Sequence, residues 1–216
     1  MSVSHRDRVG GLWDEIGRLQ FDYLVREGLK PHHRLLDVGC GCFRGGVHFL
    51  KYLDAGHYYG LDADASIIEA GFAEELEAEG LLPKLPRENV VVEAGFDASR
   101  FGVLFDFALA QSVFTHISAN DIRLCLARLA RNMRPGGVLF ATFFECPPEH
   151  EEKLPLAHEP GGIITFMNRD PFHYREDQMR NLCADLPWRI ENIGSWGHPR
   201  VQRVLRFVRG SDGDRR

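Results

Sequence analysis

Asp37 stands directly ahead of two alternating glycines, Gly39 and Gly41, with Cys40 between them. A carboxylate at the end of an apolar run can accept hydrogen bonds from a ligand amine or hydroxyl. Glycines beside it let backbone approach a ligand closely, because no Cβ intervenes and positive φ is inexpensive. Asp62 adds a second carboxylate about 25 residues on, near the interval at which a strand–helix–strand unit offers an acid to a ribose. Both hydroxyls of a 1,2-diol can donate to one carboxylate, so the chemistry calls for Asp or Glu there. Asp64 lies two places further. Together these residues describe a nucleotide-binding entrance rather than a bond-breaking centre.

Such residues need elements to hold them. The apolar run reaching Asp37, the glycine break and the segment Val47 to Leu53 read as strand, turn and helix, the helix covering 46–53. Upstream, Leu12, Ile16, Leu19 and Tyr23 recur at helical spacing and predict a helix over 11–27 that stops at Gly28. His57 to Asp62 reads as a second strand. Ser66-Ile67-Ile68-Glu69 reads as a capping box opening a helix that runs to about Glu79. Val90 to Ala94 is a β-branched third strand leading into Gly95-Phe96-Asp97. Leu104 to Ala110 is the fourth strand, followed by Gln111-Ser112-Val113-Phe114-Thr115-His116-Ile117. Ser118 caps a helix with Ile122, Leu126, Leu129 and Met133 on one stripe, and Arg134-Pro135-Gly136-Gly137 is expected to stop it and turn the chain into a fifth strand, 138–144. Residues 145–174 have no periodic pattern, and a loop of some 30 residues inside a compact domain is normally functional or disordered. Their aromatic and histidine content argues against disorder, and a short hairpin is placed around 163–166. A helix over 175–186 precedes two runs, 188–193 and 200–208, that read as an antiparallel hairpin. Residues 210–216 are a charged tail expected to fray.

Asp37-Val38-Gly39-Cys40-Gly41 resembles the first motif of the class I S-adenosylmethionine (SAM) methyltransferases, Asp/Glu-x-Gly-x-Gly-x-Gly, with Cys42 taken as standing for the last glycine. Two further stretches are similar to that family: the apolar fourth strand with Asp106 early in it and Gln111 to His116 behind it, and helix, Arg-Pro-Gly-Gly, apolar strand over 118–144. The resemblance spans roughly residues 34–208. It implies an α/β fold, a Rossmann-like seven-stranded mostly parallel sheet with helices on both faces and a C-terminal antiparallel hairpin, in one domain of residues 1–216. It implies SAM as cofactor, held by Asp37, Gly39, Cys40 and Gly41, with Asp62 and Ala63 at the ribose. Phe96 or Asp97 would meet the adenine, and Gln111, Ser112 and Val113 would line the crevice beside the methionine part. The stretch 145–174 becomes an acceptor-recognition insert. If the acceptor needs a base, the candidates are Glu145, His198, His116 and His173, with Glu145 first past the fifth strand.

A dinucleotide fold would want Gly-x-Gly-x-x-Gly, and Arg44 occupies its third glycine. An NAD-dependent oxidoreductase and a non-catalytic SAM-binding or S-adenosylhomocysteine-binding partner protein are therefore the alternatives. A hydrophobic content of 44% and a charged content of 26% are those of an ordinary soluble globular chain. The net charge of −5 argues against a general nucleic-acid binder. No apolar run is long enough to span a membrane, and the N-terminus lacks the apolar segment of a signal peptide. Five scattered cysteines without a Cys-x-x-Cys pair suggest neither disulfides nor zinc, hence no metal site and a cytoplasmic setting. The expected acceptor is a small molecule or glycan, methylated on a hydroxyl oxygen.

Overall fold

The computed structural model describes residues 4–211; Met1 to Val3 and 212–216, which include most of the expected frayed tail, lie outside the described residues. The chain forms two compact units, Met1–Ala94 and Gly95–Arg216.

In the first unit Ser4 caps a short helix α1 (His5–Arg8) by accepting from the Asp7 N–H. Helix α2 (Trp13–Arg26) follows, and it buries Ile16, Gly17, Gln20, Tyr23 and Leu24. The expected stripe was out of phase at its start: Leu12 precedes the helix in left-handed backbone and is 42% exposed. Strand β1 (Leu35–Val38) is buried along its whole length, as an apolar run in a parallel sheet should be. Helix α3 (Gly46–Tyr52) leads to β2 (Tyr58–Asp62). Asp64, not Ser66, caps α4 (Ala65–Ala70), accepting from the Ser66 and Ile67 N–H groups. A carboxylate two residues earlier outcompetes the hydroxyl for the free N–H groups. The helix then widens to a π-turn over Gly71–Leu76, short of the expected end at Glu79. Strand β3 (Val90–Val92) closes a parallel order β3-β2-β1, with Asp37 opposite Gly60 and Gly60 opposite Val90. Parallel pairing brings the carboxyl ends of β1 and β2, and so the glycine turn and Asp62, to the same edge.

In the second unit β4 (Phe105–Ala110) pairs parallel with β5 (Met133–Glu145) across helix α5 (Ala119–Asn132). Ser118 caps α5 through the Asp121 N–H, and Ile122, Cys125, Leu126 and Leu129 are buried. Each such aliphatic side chain contributes about 2 kcal/mol. The Arg134–Gly137 segment is not a separate turn. The strand starts at Met133, and these residues form a bulge that shifts the register between Phe105↔Met133 and Phe107↔Val138. Gly136, at φ 80°, accommodates the left-handed residue. The stretch after β5 is ordered as a hairpin of β6 (Leu156–His158) and β7 (Ile163–Thr165), followed by β8 (His173–Tyr174), which pairs with Phe144 and Glu145. Helix α6 (Glu176–Leu182) is shorter than the sequence suggested, and β9 (Trp188–Ser195) and β10 (Arg203–Arg209) run antiparallel in the order β4-β5-β10-β9. Parallel strands with intervening helices and a terminal antiparallel hairpin make this a Rossmann-like α/β fold.

Candidate cofactor and acceptor sites

The glycine turn is shaped by three left-handed residues, Gly39 (φ 72°), Gly41 (φ 53°) and Phe43 (φ 66°). Counted from Asp37, the family pattern's last glycine falls on Phe43, so the assignment of that position to Cys42 is corrected by one residue. Phe43 holds the strained conformation because its ring is fully buried, edge-on to Phe72 at 5.1 Å. The turn is tied to β2: Gly39 and Cys40 N–H groups donate to the Leu61 carbonyl at 2.7 and 3.0 Å. Asp62 accepts from the Gly41 N–H at 2.8 Å on one oxygen and from the Asp64 N–H at 2.9 Å on the other. Each oxygen keeps a lone pair for a further donor, and Asp62 is only partly covered while Ala63 is exposed.

Asp37 sits behind the turn, 4% exposed, and its one hydrogen bond among the described residues comes from the Tyr58 hydroxyl at 2.7 Å. A Cβ on Gly46 would stand 2.8 Å from that hydroxyl, so the glycine opening α3 makes room for the pair. Burial pushes the Asp37 carboxyl up to about 6; the Tyr58 bond and the charge of Arg44 oppose this, and Asp62 adds to it. Cys40 is buried and its thiol is pushed well up by burial and by the charges of Asp37 and Asp62, which leaves it inert. Arg44, the residue that spoils the dinucleotide pattern, donates to the Val9 and Gly11 carbonyls at 2.8 and 2.9 Å. That holds the N-terminal segment against the turn, where a Cβ on Gly41 would meet Val9 at 2.8 Å.

In the second unit, Phe96 takes left-handed backbone (φ 64°), and Asp97 accepts from the Ser99 N–H at 3.0 Å. Bonds from Ser99 hold its carboxyl below the usual range. After β4, Gln111 is buried and Ser112 is left-handed (φ 60°), with Val113 beside it partly exposed. The Ser112 N–H donates to Thr142 Oγ1 at 2.7 Å, Thr142 donates to Gln202 Oε1 at 2.7 Å, and Gln202 Nε2 donates to Ser112 Oγ at 2.8 Å. Buried Thr142 and Gln202 thus fix the strained turn that carries Gln111.

Each base candidate has settled partners. Both Glu145 oxygens are engaged, one by Arg203 Nε and one by Asn192 Nδ2, each at 2.9 Å. His116 is exposed and pairs with Asp170 at 2.5 Å. His198 stacks on Trp196, accepts from the Arg200 N–H on Nδ1 at 3.1 Å, and has its Nε2 3.4 Å from Gln111 Nε2. His173 is fully buried, with both ring nitrogens bonded. The structure therefore brings Gln111, Ser112 and His198 together and leaves Glu145 in an ion pair of the β5–β10 surface. Tyr58, and the joining of His173 to Thr165 and His158, were not among the sequence-based site residues. Tyr58 looked like any strand aromatic, and the cluster joins residues on three short strands that no periodicity marks.

Residues 36–139 match the family model described as a methyltransferase domain. A curated relative, the probable methyltransferase ltbC of Aspergillus luteorubrus, is 28% identical over 115 residues, which is 51% of this chain; the chain spans only 40% of that relative's length. Among solved structures, an O-methyltransferase family protein from Burkholderia thailandensis is similar over 96% of this chain and 60% of its own (TM-score 0.67, 14% identity). SAM-bound CalS10, an amino pentose methyltransferase from Micromonospora echinaspora, is similar over 97% and 98% (TM-score 0.64, 15% identity). The fold is the Rossmann-like one that these methyltransferase structures share, and the matched segment contains the glycine turn. Residues 36–139 thus carry the sequence of a methyltransferase domain, and the cofactor this supports is SAM. The donor set fits that molecule: a buried carboxylate with no bonded cation for an ammonium, a left-handed glycine turn beside it, and a strand-end acid for a diol.

Proposed function

We propose that this chain transfers the methyl group of SAM to a small-molecule acceptor, on a hydroxyl oxygen. When bound, SAM supplies a sulfonium-activated methyl group that the acceptor atom takes by in-line displacement, leaving S-adenosylhomocysteine. The protein's own work is mainly positioning. Asp37 receives the cofactor's ammonium, Asp62 its ribose hydroxyls, and Gly39, Cys40 and Gly41 line its passage. The observation that carries the reading is the buried Asp37 carboxylate, pushed up to about 6 without a bonded cation, one turn from a carboxylate anchored by backbone N–H groups. A buried acid with no cation bonded to it is suited to receive one from a ligand.

The acceptor class rests on residues 145–174. Leu154 (52% exposed), Ile164 (53%) and Met167 (40%) hold apolar surface open there, and Arg169 lies over the Phe166 ring. Such a surface suits an apolar or aromatic small molecule better than a phosphodiester. The names of the Burkholderia and Micromonospora relatives point the same way, to oxygen and to small sugars. Among the described residues no helix is long and apolar enough to cross a membrane.

Calorimetric titration with SAM, S-adenosylhomocysteine and NAD, repeated on Asp62→Ala, tests the proposal. Binding of both adenosyl ligands, weakened at least about tenfold in the variant, a loss of about 1.4 kcal/mol, is expected, with no heat from NAD. Binding indifferent to Asp62 would remove the ribose assignment.

A further inference from the structure

One backbone carbonyl fixes the protons of a buried chain of side chains beside β5. The Glu152 carbonyl can only accept, so the His173 Nε2 it meets at 2.9 Å carries the N–H. A neutral imidazole has one N–H, so His173 Nδ1 accepts, and its partner at 2.8 Å, the Thr165 hydroxyl, donates. Thr165 also lies 3.4 Å from the Leu156 carbonyl, a longer contact than the one it makes with His173. With its proton committed, the hydroxyl accepts from the third member, His158 Nε2, at 2.9 Å. His158 is thereby held as the tautomer whose Nδ1 carries a lone pair. No bond to Nδ1 exists among the described residues.

The place of that lone pair matters. Strand β5 is parallel to β4, and ligands of open α/β sheets bind beyond the carboxyl ends of such strands. The His158 ring lies 4.6 Å from the ring of Phe144, the penultimate residue of β5. Thr165 and His173 are both fully buried, so the orienting partners cannot swing away.

We propose that His158 is the general base of the reaction, accepting the acceptor's hydroxyl proton on Nδ1, with Thr165 and His173 as positioning residues. This rests on the hydroxyl-acceptor reading above. The proton moves from the acceptor oxygen to Nδ1 as that oxygen's new bond to the methyl carbon forms. The imidazole gains one positive charge as the sulfonium loses one, and it then releases the proton to solvent. Burial, with His173 and His150 nearby, pushes His158 down to about 4, which keeps the ring neutral and Nδ1 unprotonated at physiological pH.

Three measurements on the full chain test this. Long-range ¹H–¹⁵N NMR of the His158 ring should show the proton on Nε2, and a proton on Nδ1 would overturn the proposal. Diethyl pyrocarbonate, which acylates unprotonated imidazole nitrogens, should modify His158 and spare His173 by peptide mass; protection of His158 would also overturn it. With tritiated SAM and the phenols catechol and 4-methylumbelliferone as probes, His158→Gln should lower kcat by about 100-fold or more while S-adenosylhomocysteine affinity stays within about threefold. Thr165→Val, which keeps the imidazole but frees its tautomer, should lower kcat by about tenfold with KM unchanged. Undiminished turnover in His158→Gln sinks the assignment. Failure of the wild type to methylate either phenol while it still binds S-adenosylhomocysteine overturns the hydroxyl acceptor and the base with it. Loss of adenosyl binding altogether overturns the cofactor site instead.

Discussion

Asp37→Asn isolates the energetic consequence of the cofactor site. In the unfolded chain the Asp37 carboxyl titrates near 4, whereas burial moves it to about 6 in the folded protein. The folded state therefore holds its proton over a range in which the unfolded state has lost it, and stability falls as pH rises through that window. Above both values the ionised group costs about two pH units of free energy, or about 3 kcal/mol. At pH 4, near the unfolded value, the cost is below about 1 kcal/mol. Asparagine keeps the shape and can still accept from the Tyr58 hydroxyl at 2.7 Å in the native pair, but it carries no charge. Urea unfolding followed by tryptophan fluorescence should show the ligand-free variant more stable than wild type by about 3 kcal/mol at pH 8, with the gap shrinking below about 1 kcal/mol at pH 4. The same variant should bind SAM at least about tenfold more weakly, because the ammonium loses its counter-charge. A gap that is constant with pH, or a variant less stable than wild type at pH 8, would refute the claim that the site is held at the expense of stability. Residues that serve a ligand commonly carry such a penalty.

Other consequences are separable. Phe43→Gly restores the family's glycine and relieves left-handed strain of about 1–3 kcal/mol, but it empties a fully buried aromatic site, which costs about 3–5 kcal/mol. Net destabilisation in thermal unfolding is expected, and a rise in Tm would contradict the packing account. Glu75, 3% exposed, receives both Arg6 N–H groups at 2.7 Å and meets His5 at 2.5 Å. Burial alone would raise its carboxyl, but bonds from Arg6 and His5 hold it below the usual range. That stabilisation is present above the unfolded value near 4 and is lost as pH falls below it. With intrinsic exchange rates corrected for pH, hydrogen-exchange protection of residues 5–11 should fall on acidification from pH 5 to about pH 2, and Glu75→Gln should show the weaker protection already at pH 6. Glu145→Gln should leave turnover within about threefold, since both oxygens serve Arg203 and Asn192 rather than an acceptor; a loss on the scale of general-base removal would restore Glu145 as the base.

What the sequence made legible divides along physical lines. Period and punctuation are local properties, so β1, β2, β4, α5 and the terminal hairpin could be read from apolar runs, caps and glycines. Asp37 and Asp62 were readable for the same reason: a strand-end acid followed by glycines is a short-range pattern. Capping chemistry was misread where two candidates competed, because only the folded backbone decides whether Asp64 or Ser66 faces the free N–H groups. The insert shows the other limit. His158, Thr165 and His173 lie within 16 positions, yet nothing in their spacing says that one hydroxyl will bridge two rings. The bridge exists because β7 pairs with β6 and β8 pairs with the end of β5. His173, singled out from sequence for its company of aromatics, is closed off by the hydrogen bonds that leave a lone pair on His158. A buried histidine with both nitrogens satisfied is then better read as the part that orients its neighbour, and its substitution should disturb the neighbour's tautomer before it disturbs anything else.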